Sequence, residues 1–124
     1  MFIVKHPGYP FDVLVAIGAS DTQVLAKLKR LKVKLTDDDE KNIRDPHPGR
    51  GSCTMLEGGQ TVMRLDEWQG VMKISDYAHL VHEIFHAVEM LFRRIGIKLC
   101  SGSDEAYAYA IAELTKAIMR KLSA

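Results

Sequence analysis

The chain has 124 residues, enough for one domain, with 47% hydrophobic and 27% charged residues, an ordinary balance for a soluble globular protein. A net charge of +1 excludes a global field that would draw in nucleic acid or an acidic membrane. Two cysteines, Cys53 and Cys100, are too few for a disulfide framework, no apolar run approaches the roughly 20 residues of a membrane span, and the N-terminus lacks the layout of a signal peptide. A single soluble domain over residues 1–124, cytoplasmic and with reduced thiols, is therefore expected.

Residues 11–17 (Phe-Asp-Val-Leu-Val-Ala-Ile) are rich in β-branched side chains and read as a buried strand ended by Gly18. Ser20 and Gln23 fit a capping box, and Leu25, Leu28 and Leu31 follow at helical spacing. The basic residues along that helix read as a solvated face, because the acidic run 37–40 follows at once. Thr36 ahead of that run looks like the start of a second, short helix. Residues 44–51, with two prolines and two glycines, form a loop. Residues 52–57 and 60–65 flank Gly58-Gly59, which signals a hairpin with a two-residue turn.

The longest helical pattern follows, at about 76–95, with Ser75 as its N-cap, Asp76 in the first turn, Arg93 and Arg94 in the last, and Gly96 at the C′ position. A final helix runs over about 104–121, favoured by Ala106, Ala108, Ala110 and Ala112. The fold class is α+β: a small sheet from 11–17 and the hairpin 52–65, packed against these two helices.

The chemistry sits on the long helix, where His82-Glu83-Ile84-Phe85-His86 matches His-Glu-x-x-His. Two histidines four apart lie on one helix face, about one turn apart, and can converge on one tetrahedral metal with bonds of about 2.0–2.1 Å. Glu83 lies about 100° round the helix from His82, beside the metal and placed to take a proton from a water. With Leu80 as origin, one arc of about 140° holds Leu80, Val81, Ile84, Phe85, Val88, Leu91, Phe92 and Ile95. His82 falls near about 200°, His86 near about 240° and Glu83 near about 300°, off that stripe. A surface helix with two coincidental histidines is the competing reading.

A zinc hydrolase needs a third protein ligand. Glu105, separated from His86 by eighteen residues at the start of the next helix, is the main candidate; Asp104 is its neighbour in sequence, and Cys53 a further alternative. His79, near about 260°, shares the face of His82 and His86. It reads as an exposed histidine, with an outer-sphere contact, a substrate contact or an occasional metal ligand as the alternatives. Glu89 reads as an ion-pair partner of Arg93. Tyr109, four residues after Glu105, is a candidate oxyanion donor, equally open to a packing role, whereas Tyr107 falls on the apolar stripe. His47 reads as an exposed loop histidine.

At His82, Glu83, His86 and Glu105 the chain resembles the gluzincins, zinc metallopeptidases of zincin-like fold. The text 104–109 (Asp-Glu-Ala-Tyr-Ala-Tyr) is similar to their Glu-bearing helix, and the Glu-Ala pair is similar to that of small bacterial and phage-associated ImmA/IrrE-type metallopeptidases. The likeness runs from Ser75 to about Lys121. It implies Zn2+ held by His82, His86 and Glu105, Glu83 as the base that activates a zinc-bound water, and a peptide or protein substrate. It also implies an edge strand that holds the substrate extended, a place that residues 60–65 would take. Peptide-bond hydrolysis is the function expected. A zinc-stabilised interaction module is the alternative, followed by a deformylase-like amidase with Cys53 as ligand and by a protein that binds no metal and acts through surface contacts.

Overall fold

A strand whose side chains are apolar on both faces needs cover on both faces, and 11–17 is such a strand. A computed structural model of the chain describes residues 1–6, 8–9, 12–44 and 51–123. The described elements are, in chain order, β1 (Phe2–Lys5), β2 (Asp12–Ile17), α1 (Asp21–Arg30), α2 (Asp37–Arg44), β3 (Gly51–Met55), β4 (Thr61–Leu65), α3 (Ile74–Arg94) and α4 (Asp104–Ser123). Phe11, expected to open the first of the anticipated strands, lies outside the described residues, as does His47.

The four strands form one mixed sheet in the order β1-β2-β4-β3. β2 and β4 lie parallel at its centre, from Val13 opposite Thr61 to Ile17 opposite Leu65, and β1 and β3 flank them antiparallel. On one face Val13, Val15, Met63 and Leu65 pack against α3 and α4, chiefly Ile84, Val88, Phe92, Tyr107 and Leu114. On the other, Leu14, Ala16 and Val62 pack against Val24, Leu25 and Leu28 of α1 and Ile43 of α2. The molecule is thus α+β with three layers, where two were expected: α1 and α2 cover the second face of the central strands. β1 was not anticipated either; four residues give too short an alternation to announce a strand. Among the described residues no helix is long and apolar enough to cross a membrane.

Local signals explain most element boundaries. Ser20 and Gln23 close the expected capping box on α1, with Gln23 N–H donating to Ser20 Oγ at 3.2 Å and Ser20 N–H to Gln23 Oε1 at 2.9 Å. Thr36 and Asp39 do the same for α2, and the second Asp39 oxygen accepts from Glu57 N–H at 3.0 Å, tying α2 to the hairpin. α3 begins two residues before the expected start. Its N-cap is Lys73, whose N–H donates to the Asp76 carboxylate at 2.8 Å, so Ser75 lies inside the first turn and does not cap it. Its end is a Schellman motif, with Ile97 N–H donating to Phe92 O at 2.7 Å, Gly96 N–H to Arg93 O at 3.2 Å, and Gly96 at φ 83°. The hairpin turn spans three residues, 57–59, and not two: Leu56 N–H donates to Gln60 O, Gly59 N–H to Leu56 O, and Gly59 takes φ 98°.

Two polar side chains inside this frame generate predictions. Arg64 of β4 reaches across the second face, where its guanidinium donates to Asp21 Oδ1 at 2.6 Å, Ile43 O at 3.0 Å and Ala19 O at 3.0 Å. Arg64→Ala leaves two carbonyls without their donor and returns the partly exposed Asp21 carboxylate to water, and we expect a loss of about 1–3 kcal/mol, read as a lower urea midpoint at unchanged slope. His6 is 7% exposed, has the Tyr9 ring tilted against it at 5.1 Å between centroids, and accepts from Gly8 N–H at Nδ1. Burial holds its pKa below the ordinary value and outweighs the opposing pull of the Ala110 carbonyl and of Glu113. The unfolded chain then takes up the proton more readily, so the His6 contribution is complete above about pH 6.5 and is lost as pH falls from there toward the lower folded value. Urea titrations from pH 7.5 to 5 should show stability falling more steeply in the parent than in His6→Asn.

Candidate metal and catalytic site

The candidate site lies on α3. The Nε2 atoms of His82 and His86 stand 3.0 Å apart, with ring centroids separated by 4.7 Å. His82 is exposed and His86 half-buried, with the Phe85 ring beside it at 6.0 Å between centroids. The i, i+4 spacing thus brings both rings together on the solvent side of the helix, as the motif required.

Glu83 lies on the adjoining, buried flank of the helix. It is 6% exposed, turned against β3, where Gly51 makes room for it: a Cβ on Gly51 would stand 3.1 Å from both Glu83 Cγ and Oε1. The buried side of α3 is therefore rotated from the apolar arc read in the sequence. Glu83 and Ala87 are inside it, whereas Val81 at 53%, Phe85 at 38% and Ile95 at 44% are exposed. The reason is β3, which covers the flank of α3 that carries Glu83 and offers it small residues.

The strand beside the site is also not the one expected. Residues 60–65 hold β4 (Thr61–Leu65), which is paired on both sides, while β3 is the edge strand, paired with β4 alone among the described residues. Gly51 was the missed residue here. Its signal was the small-residue text Gly-Ser-Cys-Thr, which fits a strand lying close under a helix.

The third ligand is where expectation and structure part. Glu105 is exposed in the first turn of α4, its N–H bonded to Asp104 Oδ1 at 2.9 Å. Among the described residues no group of three or more His, Cys, Asp or Glu side chains is gathered to hold a metal. Tyr107 explains this. Its ring packs edge-on against Phe92 at 4.6 Å and its hydroxyl donates to Ile97 O at 3.3 Å, which docks the start of α4 beside the C-terminal end of α3. Phe92 is six residues past His86, or roughly 9 Å along the helix axis. Tyr107 is core, as its place on the stripe implied, and Tyr109 is 70% exposed.

Other candidates find plainer surroundings. Glu89 pairs with Arg93, Nε to Oε1 at 3.1 Å, in the expected i, i+4 bridge. His79 is half-buried and lines a small recess with Leu65, Asp66, Trp68 and Asp76. Cys53 lies on β3, where burial and the charge of Glu83 push its thiol far up. Cys100 is exposed, and the Ser103 hydroxyl and Gly102 N–H pull its thiol down. A thiol reagent at pH 8 should therefore label one site quickly and the other only on unfolding. Cys100→Ser should remove the fast phase and leave the slow one.

Comparison with known protein families, with curated proteins and with solved structures finds no match to this chain.

Proposed function

We propose that the chain is a zinc-dependent peptidase in which His82 and His86 hold the metal and Glu83 is the general base. The observation that carries the reading is the convergence of the two Nε2 atoms, 3.0 Å apart on an open helix face, with the carboxylate of the residue after His82 on the adjoining flank against an edge strand. Two nitrogens bound to one tetrahedral zinc stand roughly 3.3 Å apart, so the pair fits the ion after a shift of a few tenths of an ångström. Zinc there would supply a Lewis acid that polarises a carbonyl and makes water a nucleophile near neutral pH.

The chain's own groups do the rest. The outer edge of β3, unpaired among the described residues, offers N–H and C=O groups to an extended peptide. Glu83 takes the proton of the attacking water and passes it to the leaving amine. The exposure of His82 favours this over a zinc-stabilised interaction module, whose ligands would be sealed. Glu105 remains the proposed third ligand. Its ligation requires the first turn of α4 to move toward His86, and the connection that precedes it contains Gly96 and Gly102. Tyr109 as oxyanion donor depends on the same movement.

Calorimetric titration with zinc and an assay on a peptide mixture test the reading together. His82→Ala and His86→Ala should each weaken zinc binding at least about 100-fold, and Glu105→Gln by about 10-fold. Glu83→Gln should keep the metal and lose hydrolysis by about 10²–10⁴-fold. Zinc bound equally well by His82→Ala and the parent would sink the metal assignment.

A further inference from the structure

We propose that the groove leading from the histidine pair toward the C-terminal end of α3 selects a peptide with an acidic side chain three or four residues from the bond cleaved. The inference rests on the peptidase reading and gives it a substrate class. β3 runs alongside α3: Gly51 meets Glu83 at one end, and at the other Met55 shares a recess of about 550 Å3, open to solvent, with Met90, Arg93 and Arg94. His82, His86 and Met90 follow one another at four-residue spacing, so the recess continues the face that carries the histidines. A peptide laid along the outer edge of β3 passes both.

The two arginines there are not equivalent. The Arg93 charge is offset by Glu89, whereas among the described residues Arg94 makes no ion pair. Asp12 lines the adjoining recess with Arg94 but is not paired with it. The Arg94 guanidinium lies against the hairpin turn, with Cζ 2.7 Å from where a Cβ on Gly59 would stand, so glycine there, at φ 98°, lets the side chain lie on the turn. Arg94 is thus a placed cation at the end of an apolar trough whose methionines adapt to varied side chains. Arg94 is eight residues from His86, about 12 Å along the helix, and an extended peptide covers that in three to four residues at about 3.4 Å each. A Glu or Asp side chain at that distance meets the guanidinium.

The test uses capped decapeptides of one neutral sequence in which a single Glu is moved position by position, each with a Gln control. Binding is read by fluorescence anisotropy on zinc-loaded Glu83→Gln protein, and cleavage on the parent. One Glu position should bind roughly fivefold more tightly than its Gln control. Salt should weaken that gain, Arg94→Gln should abolish it, and Arg94→Lys should keep most of it. Equal binding of Glu and Gln peptides at every position, or a preference that survives Arg94→Gln, overturns the proposal. Cleavage without any acidic preference removes the groove and leaves the peptidase reading standing. An Arg94-dependent preference with no cleavage by the parent removes the peptidase reading and leaves the groove.

Discussion

The parallel pairing of β2 with β4 puts two strands at the centre of the sheet with no face left for water. Parallel neighbours cannot be joined by a tight turn, so the chain between them must cross over, and here it carries α1, α2 and β3 on the way. That crossover supplies the cover for one face, and the two C-terminal helices supply the other. It also decides where β3 ends up. Because β2 occupies the other side of β4, β3 pairs on its outer side, and the sheet ends there among the described residues.

The consequence for the site runs through α3. The helix must lie across the central strands to bury Ile84, Val88 and Phe92, and its flank then meets β3. Because β3 starts with Gly51, that flank accepts a carboxylate rather than another aliphatic side chain. Glu83 goes inward, the histidines on either side of it in sequence are left facing solvent, and the neighbouring Cys53 feels the charge. The orientation of the helix therefore puts a buried carboxylate and an imidazole pair on adjoining flanks, although Glu83 directly follows His82 in sequence.

Much of this was legible locally. The Ser20–Gln23 box, the acidic start of α2, the run into Gly18 and the His82–His86 convergence all follow from contacts within one element, which sequence spacing fixes. What was not legible depended on register between elements. The apolar arc of α3 was read from hydropathy alone, so Val81 and Phe85 were placed inside and Glu83 outside; the neighbour that reverses this, β3, is twenty-eight or more residues away. The same holds for the edge strand, since the hairpin pattern cannot say which of its two arms pairs with a third strand. The eighteen-residue interval from His86 to Glu105 matched a ligand spacing, yet Tyr107 docks on Phe92 and sets α4 farther along the helix. Lys73 displaced Ser75 as the cap because Asp76 reaches back to it, a choice between adjacent residues that local propensity does not resolve.

The outer side of β3, unpaired among the described residues, has a further meaning. A row of unsatisfied amides and carbonyls recruits strands of any origin, and a second copy of the same protein is the one always at hand. β3 is five residues long, with glycine, serine and threonine among them, so it offers a short and weakly adhesive seam. Shortness limits self-association, and the same shortness leaves little backbone with which to grip a guest. Recognition along this seam would then have to come from side chains at its two ends.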